Sequence, residues 1–449
     1  MGRKTLLNSK QSYRIKSNQI TLKLIFNLIF HYLQTGKIKN LEIEIESSIK
    51  QKIVQTREII ENIKESVYGV NTGFGKLYDK KIEKEDMEKL QMNLIYSHSA
   101  GYGKPVNKFI VFLTILIRLN QLLQGHSGIS LELIEQIIKL LKNKDLPKVP
   151  KFTSVGASGD LIPLSHIFLK IIENYKPKAK ESLSFINGTS YSLANFIIGL
   201  FSIKEVLNFS NFVLILSAKA NKVNFEHFTL SLKKTKKNKY FIKVLQDLNK
   251  IISDLDLKVN NPMLQAPYCY RCYPQIVESL YGVFDLAYLF AKSELNSSTD
   301  NPLLINNKFI SAGNFHGNTI SAFSDHLKTH VFQLANLSFQ RMNHLLHPKF
   351  LTLNEGLNSG FMISQYLASH LLAELKIISQ RLSVENFPVS LNQEDFVSYS
   401  ENNSKLLLKS IYICSLILSI ELLLALQKVK LYENLNLDKL RKYLKKFLI

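Results

Sequence analysis

Thr153-Ser154-Val155-Gly156-Ala157-Ser158-Gly159-Asp160-Leu161 sets three small residues in a row behind a further glycine. Small side chains let a backbone fold tightly onto itself, and Gly159 tolerates dihedrals closed to other residues. In such a turn the Gly159 nitrogen can reach the Ala157 carbonyl carbon. Ring closure there with loss of one water, followed by loss of the Ser158 hydroxyl as a second, would leave an exocyclic methylene, a strong electrophile. Taken alone, Ala-Ser-Gly is a common tripeptide and an ordinary turn is the default reading. The rest of the chain has to decide between them.

Downstream of this stretch the pattern is helical. Gln275 to Glu294 is apolar at helical spacing and stops before the turn-rich Asn296-Ser297-Ser298-Thr299-Asp300-Asn301-Pro302. Gly317 to Leu346, ending before Pro348, Gly360 to Glu385 and Asn402 to Lys430 read as three more helices. Such long helices, apolar over much of their circumference, need one another for burial, which implies a bundle. Upstream, helical segments at Thr21–Leu33 and Glu42–Glu65 alternate with glycine-bearing turns at 69–75, 101–103 and 156–159. Strand signals are weak throughout. The expectation is a mainly α protein, with a loop-bearing domain over 1–200 and a helical bundle over 201–449.

The bulk properties are those of a globular protein large enough to bury a sizeable core: 449 residues, 46% hydrophobic and 21% charged. The formal charge of +21 is high, yet lysine is spread along the chain beside Asn and Ile rather than gathered into a stripe. The densest run, Lys233-Lys234-Thr235-Lys236-Lys237-Asn238-Lys239, reads as a solvated loop, so no nucleic-acid partner is expected. Cys269, Cys272 and Cys414 are too few for a disulfide framework and suit a reducing cytoplasm. Cys269-x-x-Cys272 has no second Cys or His pair at zinc spacing, and no metal is assigned. The apolar stretch 411–426 is shorter than the roughly 20 residues a span needs and contains Glu421, so no membrane span is expected.

Further motifs stand in order along the chain. They are Tyr68-Gly69-Val70-Asn71-Thr72-Gly73-Phe74-Gly75, Asn187-Gly188-Thr189, Gln265-Ala266-Pro267-Tyr268-Cys269-Tyr270-Arg271-Cys272, Asp300-Asn301-Pro302-Leu303, Gly313-Asn314-Phe315-His316 and Asn392-Gln393-Glu394-Asp395. Together with the Ala157-Ser158-Gly159 stretch, this set closely resembles the histidine and aromatic amino-acid ammonia-lyase family from about Ile20 to Val429. The resemblance implies a fumarase/aspartase-like helical architecture. It also implies a methylidene-imidazolone group made from Ala157, Ser158 and Gly159, with no external cofactor, and a cytoplasmic homotetramer whose active sites are shared between subunits.

The family's chemistry gives each residue type a reason. An ammonium is a poor leaving group, and binding the amine to an electrophile makes it a better one. A base must take the β-proton, and the resemblance assigns this to Tyr68, whose phenol has to ionise well below its ordinary value of about 10. Arg271 has the planar fork for a substrate carboxylate. Asn187 and Gln265 suit the prosthetic group's oxygen or the substrate amine, and Tyr268 and Phe315 would wall the pocket. On the residues alone, each also reads blandly: a tyrosine on a glycine turn, an arginine bracing a turn, buried amides and core aromatics.

Two positions bear on the substrate. Ser97-His98 matches members acting on histidine, where tyrosine-type members resemble His-Leu and phenylalanine-type members Phe-Leu. Glu394 matches the Gln-Glu-Asp of histidine-type members, and a carboxylate there can orient an imidazole. The reading is therefore an ammonia-lyase converting L-histidine to urocanate, with a tyrosine or aromatic lyase or 2,3-aminomutase as the alternative. A catalytically dead relative acting as a basic binding protein is the alternative from another class. Departures from the family pattern are Ala266 for Asp, Phe396 for His and Gly317-Asn318-Thr319 after Phe315-His316. The chain also stops soon after Lys430, which implies reduced closing helices.

Overall fold

The computed structural model describes residues 13–16, 20–73, 80–346 and 360–432. Phe74, Gly75, Pro348 and the chain beyond Tyr432, on which the expectation of reduced closing helices rests, lie outside the described residues. In chain order the helices are α1 (Leu22–Thr35), α2 (Ser47–Glu61), α3 (Met87–His98), α4 (Lys108–Leu122), α5 (Leu131–Asn143), α6 (Leu161–Ile172) and α7 (Glu181–Ile186). They continue with α8 (Ser190–Ala220), α9 (Lys239–Leu255), α10 (Tyr268–Arg271), α11 (Tyr273–Leu295), α12 (Asn318–Leu345), α13 (Met362–Ile378) and α14 (Ser400–Tyr432). The described strands are short and form three two-stranded pairs.

Local chemistry accounts for many of the boundaries. The Thr21 hydroxyl accepts from Leu24 N at the start of α1, and Gly36, left-handed at φ 65°, closes it by donating to Tyr32 O. Ser130 caps α5, whose buried Leu133, Ile134, Ile137, Leu140 and Leu141 recur at helical spacing. Asn238 caps α9 through Tyr240 N and Phe241 N. The basic run before α9 is mostly exposed, although Lys236 pairs with Glu278.

Two expected helices are corrected. The segment read as one helix over Glu42–Glu65 is a strand, Leu41–Glu44, followed by α2. The strand pairs in parallel with Tyr13–Lys16, a tertiary contact without a local signal. The helix expected to reach Glu385 ends at Ile378. Lys328 Nζ donates to Ile378 O and Gln380 O and so satisfies carbonyls that a helix end leaves without partners.

The chain divides into two compact units. The first comprises 1–198, 290–321 and 382–404, so two later segments belong with the N-terminal part. Within it α3 packs on α6 and α7, and α4 on α5 and α7. The second comprises 199–289, 322–381 and 405–449. There the long helices are joined by buried polar bonds as well as apolar packing. Arg341 of α12 makes a bidentate pair with Glu421 of α14 at 2.6 and 2.7 Å. Tyr273 of α11 donates to Ser210 and Asn211 of α8 at 3.0 and 2.7 Å. By length and composition 181–220 and 400–429 could each cross a membrane, and 67% and 44% of their most apolar windows are buried within the protein.

Candidate active site

The Ala157-Ser158-Gly159 turn is closed on itself. Gly156 and Gly159 form an antiparallel bridge, which leaves Ala157 and Ser158 at the tip. Ser154 braces the turn from inside: its hydroxyl donates to Gly159 O at 3.0 Å and accepts from Gly156 N at 3.1 Å. Ser154 is held in turn by the buried Glu401, which accepts from Ser154 N at 2.7 Å and from the Thr153 hydroxyl. Gly159 is left-handed at φ 77°, and a Cβ on it would meet Gly188 O at 2.5 Å and Gly188 N at 2.7 Å. Only glycine fits both that dihedral and that approach. Ala157 packs into a small apolar cluster with Val397 and Tyr399.

Ser158 faces a cavity of about 360 Å³ lined by Tyr68, Leu94, His98, Ser158, Leu161, Leu183, Ile186, Asn187, Asn301, Phe315, Ser390 and Glu394. A second cavity of about 450 Å³ shares Ser158, Phe315 and Glu394 with it and adds Ala157, His316 and Phe396. Residues spread from Tyr68 to Glu394 in sequence thus meet in one place inside the first unit. The Ser158 hydroxyl donates to Glu394 Oε1 at 2.5 Å. Asn187 Nδ2 donates to Ser158 O at 2.8 Å, while the buried Asn187 Oδ1 has no partner.

Each wall residue has a local reason for its place. Tyr68 sits on a turn pinned by Asn71, which accepts from Val67 N at 2.7 Å and donates to Glu65 O at 2.8 Å. Glu394 is presented by a tight loop closed by Val389 N to Glu394 O at 3.1 Å. Ser390, Leu391 and Asn392 all have positive φ in that loop, a strained run of the kind that collects at functional sites. His98 ends α3, and its Nδ1 lies 2.9 Å from Leu94 O and 3.0 Å from Ser97 Oγ. A backbone carbonyl can only accept, so Nδ1 carries the proton and Nε2 is left as an acceptor. Burial pushes the His98 pKa below its ordinary value, against the opposing pulls of Leu94 O and Glu394, so the ring is neutral near pH 7.

Sequence reasoning passed over several groups that hold this site. Asp160, fully buried, accepts from Tyr191 N, Ser192 N and the Ser192 hydroxyl at the start of α8. Burial pushes its pKa up to about 7 in spite of these donors. Arg118, also fully buried, donates to Asn187 O at 2.8 Å. The available signal was a charge inside the apolar run Leu116-Ile117-Arg118-Leu119.

Gln265, Tyr268 and Arg271 belong to the second unit, where they cluster around α10. The Arg271 guanidinium lies 4.5 Å over the Tyr268 ring and donates through Nε to Ala266 O at 3.0 Å. Gln265 and Tyr268 are exposed. Arg341 Nη1 donates to Cys269 O at 3.3 Å and steadies the same short helix. Cys269 is buried, and the three cysteines are free thiols.

A family model described as aromatic amino acid lyase matches residues 32–175 and 170–447. A histidine ammonia-lyase of Staphylococcus saprophyticus is 32% identical, over 92% of this chain and 90% of its own. The solved histidine ammonia-lyase of Trypanosoma cruzi superposes with a TM-score of 0.80 at 29% identity, over 93% of this chain and 85% of its own. A phenylalanine aminomutase of Pantoea agglomerans superposes at 0.86 with 22% identity, over 97% and 94%, a likeness of fold.

Proposed function

The chain belongs to the aromatic amino acid lyase family, and from that premise we propose that it eliminates ammonia from L-histidine to give urocanate. It is a carbon–nitrogen lyase of mainly α fold. The observation that carries the choice of substrate is the pair of acceptors in one cavity, the neutral His98 Nε2 and the Glu394 carboxylate. A protonated imidazole offers two N–H donors to such a pair. A phenyl ring offers none, and would leave His98 Nε2 unpaired and Glu394 with no donor from the substrate.

The turn suits a methylidene-imidazolone built from Ala157, Ser158 and Gly159. It is closed tightly, Gly159 admits no side chain, and Ser158 O has a donor in Asn187. Such a group would supply an electrophilic carbon that turns the substrate amine into a better leaving group. While Ser158 keeps its hydroxyl, Glu394 can take or return a proton at Oγ. The unpaired Asn187 Oδ1 can accept an N–H from the amine. Tyr68 is the base for the β-proton, and Phe315 walls the site. Arg271, stacked on Tyr268, presents a fork suited to the substrate carboxylate, with Gln265 beside it as a further hydrogen-bonding group.

The working form is proposed to be a cytoplasmic homotetramer in which sites draw on more than one chain. In its support, α13 buries only Ala368 and Leu375 of its 17 residues, and Ile363, Tyr366 and Leu367 stand exposed at helical spacing. The free thiols suit a reducing compartment. Incubation of the purified protein with L-histidine should raise urocanate's near-ultraviolet absorbance with one ammonia released per product. A β-amino acid product, or turnover of L-tyrosine or L-phenylalanine in preference to L-histidine, would overturn the substrate assignment.

A further inference from the structure

Arg118 stands fully buried on α4, in the same unit as the Ser158 turn. A guanidinium has five N–H donors, and here each has an acceptor. Nε donates to Phe185 O at 2.9 Å, and Nη1 to Gln121 Oε1 at 3.1 Å and Thr299 Oγ1 at 2.9 Å. Nη2 donates to Asn187 O at 2.8 Å and to Ser184 O. None of the five acceptors is a carboxylate. A buried cation is ordinarily paired with an anion, because desolvating it alone is costly. This one is directed instead onto three main-chain carbonyls at the end of α7, where Asn187 begins.

What lies on the far side of those carbonyls explains the arrangement. Gly188 is pressed against the guanidinium: a Cβ there would meet Arg118 Nη1 at 2.4 Å. Its other side abuts Gly159, and Gly188 O accepts from Asp160 N at 2.7 Å. Asn187, gripped through its carbonyl, donates its amide to Ser158 O at 2.8 Å. Guanidinium, Asn187-Gly188 segment and Ser158-Gly159 peptide are therefore stacked in contact. Ser158 O and the Gly159 nitrogen belong to one amide, so a donor on that oxygen stabilises the negative charge that makes the nitrogen nucleophilic.

We propose that Arg118 is the positioning residue for self-cyclisation: it clamps Asn187-Gly188 onto the Ser158-Gly159 peptide, holding the turn closed and the Asn187 amide on Ser158 O. The step it serves forms the bond from Gly159 N to the Ala157 carbonyl carbon. The Ala157 oxygen leaves as water with the protons of Gly159 N and Ser158 N. The Ser158 hydroxyl then leaves as a second water with the Cα proton, and no oxidant is needed. The inference rests on the self-cyclising reading of Ala157-Ser158-Gly159.

The test is cell-free synthesis of the full chain, with samples denatured at intervals and weighed by mass spectrometry. Wild type should become lighter by two waters; a wild type that stays at its sequence mass overturns the self-cyclising reading itself. Arg118→Lys keeps the charge but loses the fork. With the far-ultraviolet spectrum of a folded chain, it should lose water at least about tenfold more slowly than wild type. Water loss at the wild-type rate in folded Arg118→Lys overturns the proposal, since a merely structural arginine would change the melting temperature and leave that rate alone. Should Arg118→Lys fail to fold, Thr299→Val decides, because it removes an acceptor that holds Nη1 in place and so loosens the guanidinium's grip on the α7 carbonyls while keeping the arginine. It should slow water loss by about threefold, and an unchanged rate overturns the proposal.

Discussion

Two fully buried arginines, one in each compact unit, solve the same electrostatic problem in opposite ways. Arg341 meets the carboxylate of Glu421 bidentately, and although burial disfavours its charge, that partner raises its pKa. Arg118 touches no carboxylate, and burial lowers its pKa to about 10, with Asp300 and Asp160 acting only from a distance. The first arrangement neutralises charge and ties α12 to α14. The second directs its donors at main-chain carbonyls behind the Ser158 turn. A carboxylate-paired arginine belongs to architecture, whereas one directed onto the carbonyls of the segment behind Ser158 points to positioning of that turn.

That contrast predicts activity defects without unfolding in one region and unfolding in the other. The largest effect should come from Ser158→Ala, which removes the hydroxyl that must depart. Turnover should fall by at least about a thousandfold with an unchanged melting curve. Activity near the wild-type level would remove the reason for treating the first region as reactive.

Glu421→Ala should act the other way, leaving Arg341 buried without its anion at a cost of about 3–5 kcal/mol in stability. Denaturant unfolding measures this. The double change Arg341→Met with Glu421→Leu should return stability to within about 1 kcal/mol of wild type or above it. If Glu421→Ala were neutral, the ion pair would not be architectural.

A smaller effect is expected at His98. His98→Leu should lower kcat/KM on L-histidine by about ten- to a hundredfold, through loss of one acceptor for the imidazole. An equal loss on aromatic substrates would leave His98 a packing residue.

A pH-dependent effect concerns Asp160. Its pKa in the folded protein, about 7, lies above the ordinary 3.8, so the native state holds a proton that the unfolded chain has released between those values. Stability from this group is fully present below pH 3.8 and is lost as pH rises through about 7. Asp160→Asn should flatten the decline in melting temperature over that window. An identical slope in both proteins would mean that Asp160 does not bind that proton.

Much of the architecture was legible because its determinants are local. The apolar spacing around 275–294 and 402–430 finds its counterparts in α11 and α14, and the breaker after Glu294 falls within a residue of the helix end. The failures have tertiary causes. Leu41–Glu44 pairs with a strand 25 or more residues upstream, and α13 stops where Lys328 reaches its last carbonyls. At the site, the cavity gathers Tyr68, His98, Ser158, Asn187, Phe315 and Glu394, whose types and neighbours already suggested chemistry. Arg118, Asp160 and Glu401 were passed over because a buried charge in a helix, or at a helix start, looks the same on the page as an exposed one.

By itself, the sequence determined the chemical inventory: a tripeptide of small residues behind a glycine, a tyrosine on a glycine turn, an imidazole and a carboxylate, strung on capped helices. Spacing and capping suffice for this because they act within a few residues. Tertiary structure alone decided that His98 is neutral with Nε2 as its acceptor, that Asp160 titrates near 7 and that Arg118 grips the segment behind Ser158. Those properties depend on burial and on partners tens to hundreds of residues away, and the energy of a charge is set by its surroundings rather than by its neighbours in the chain.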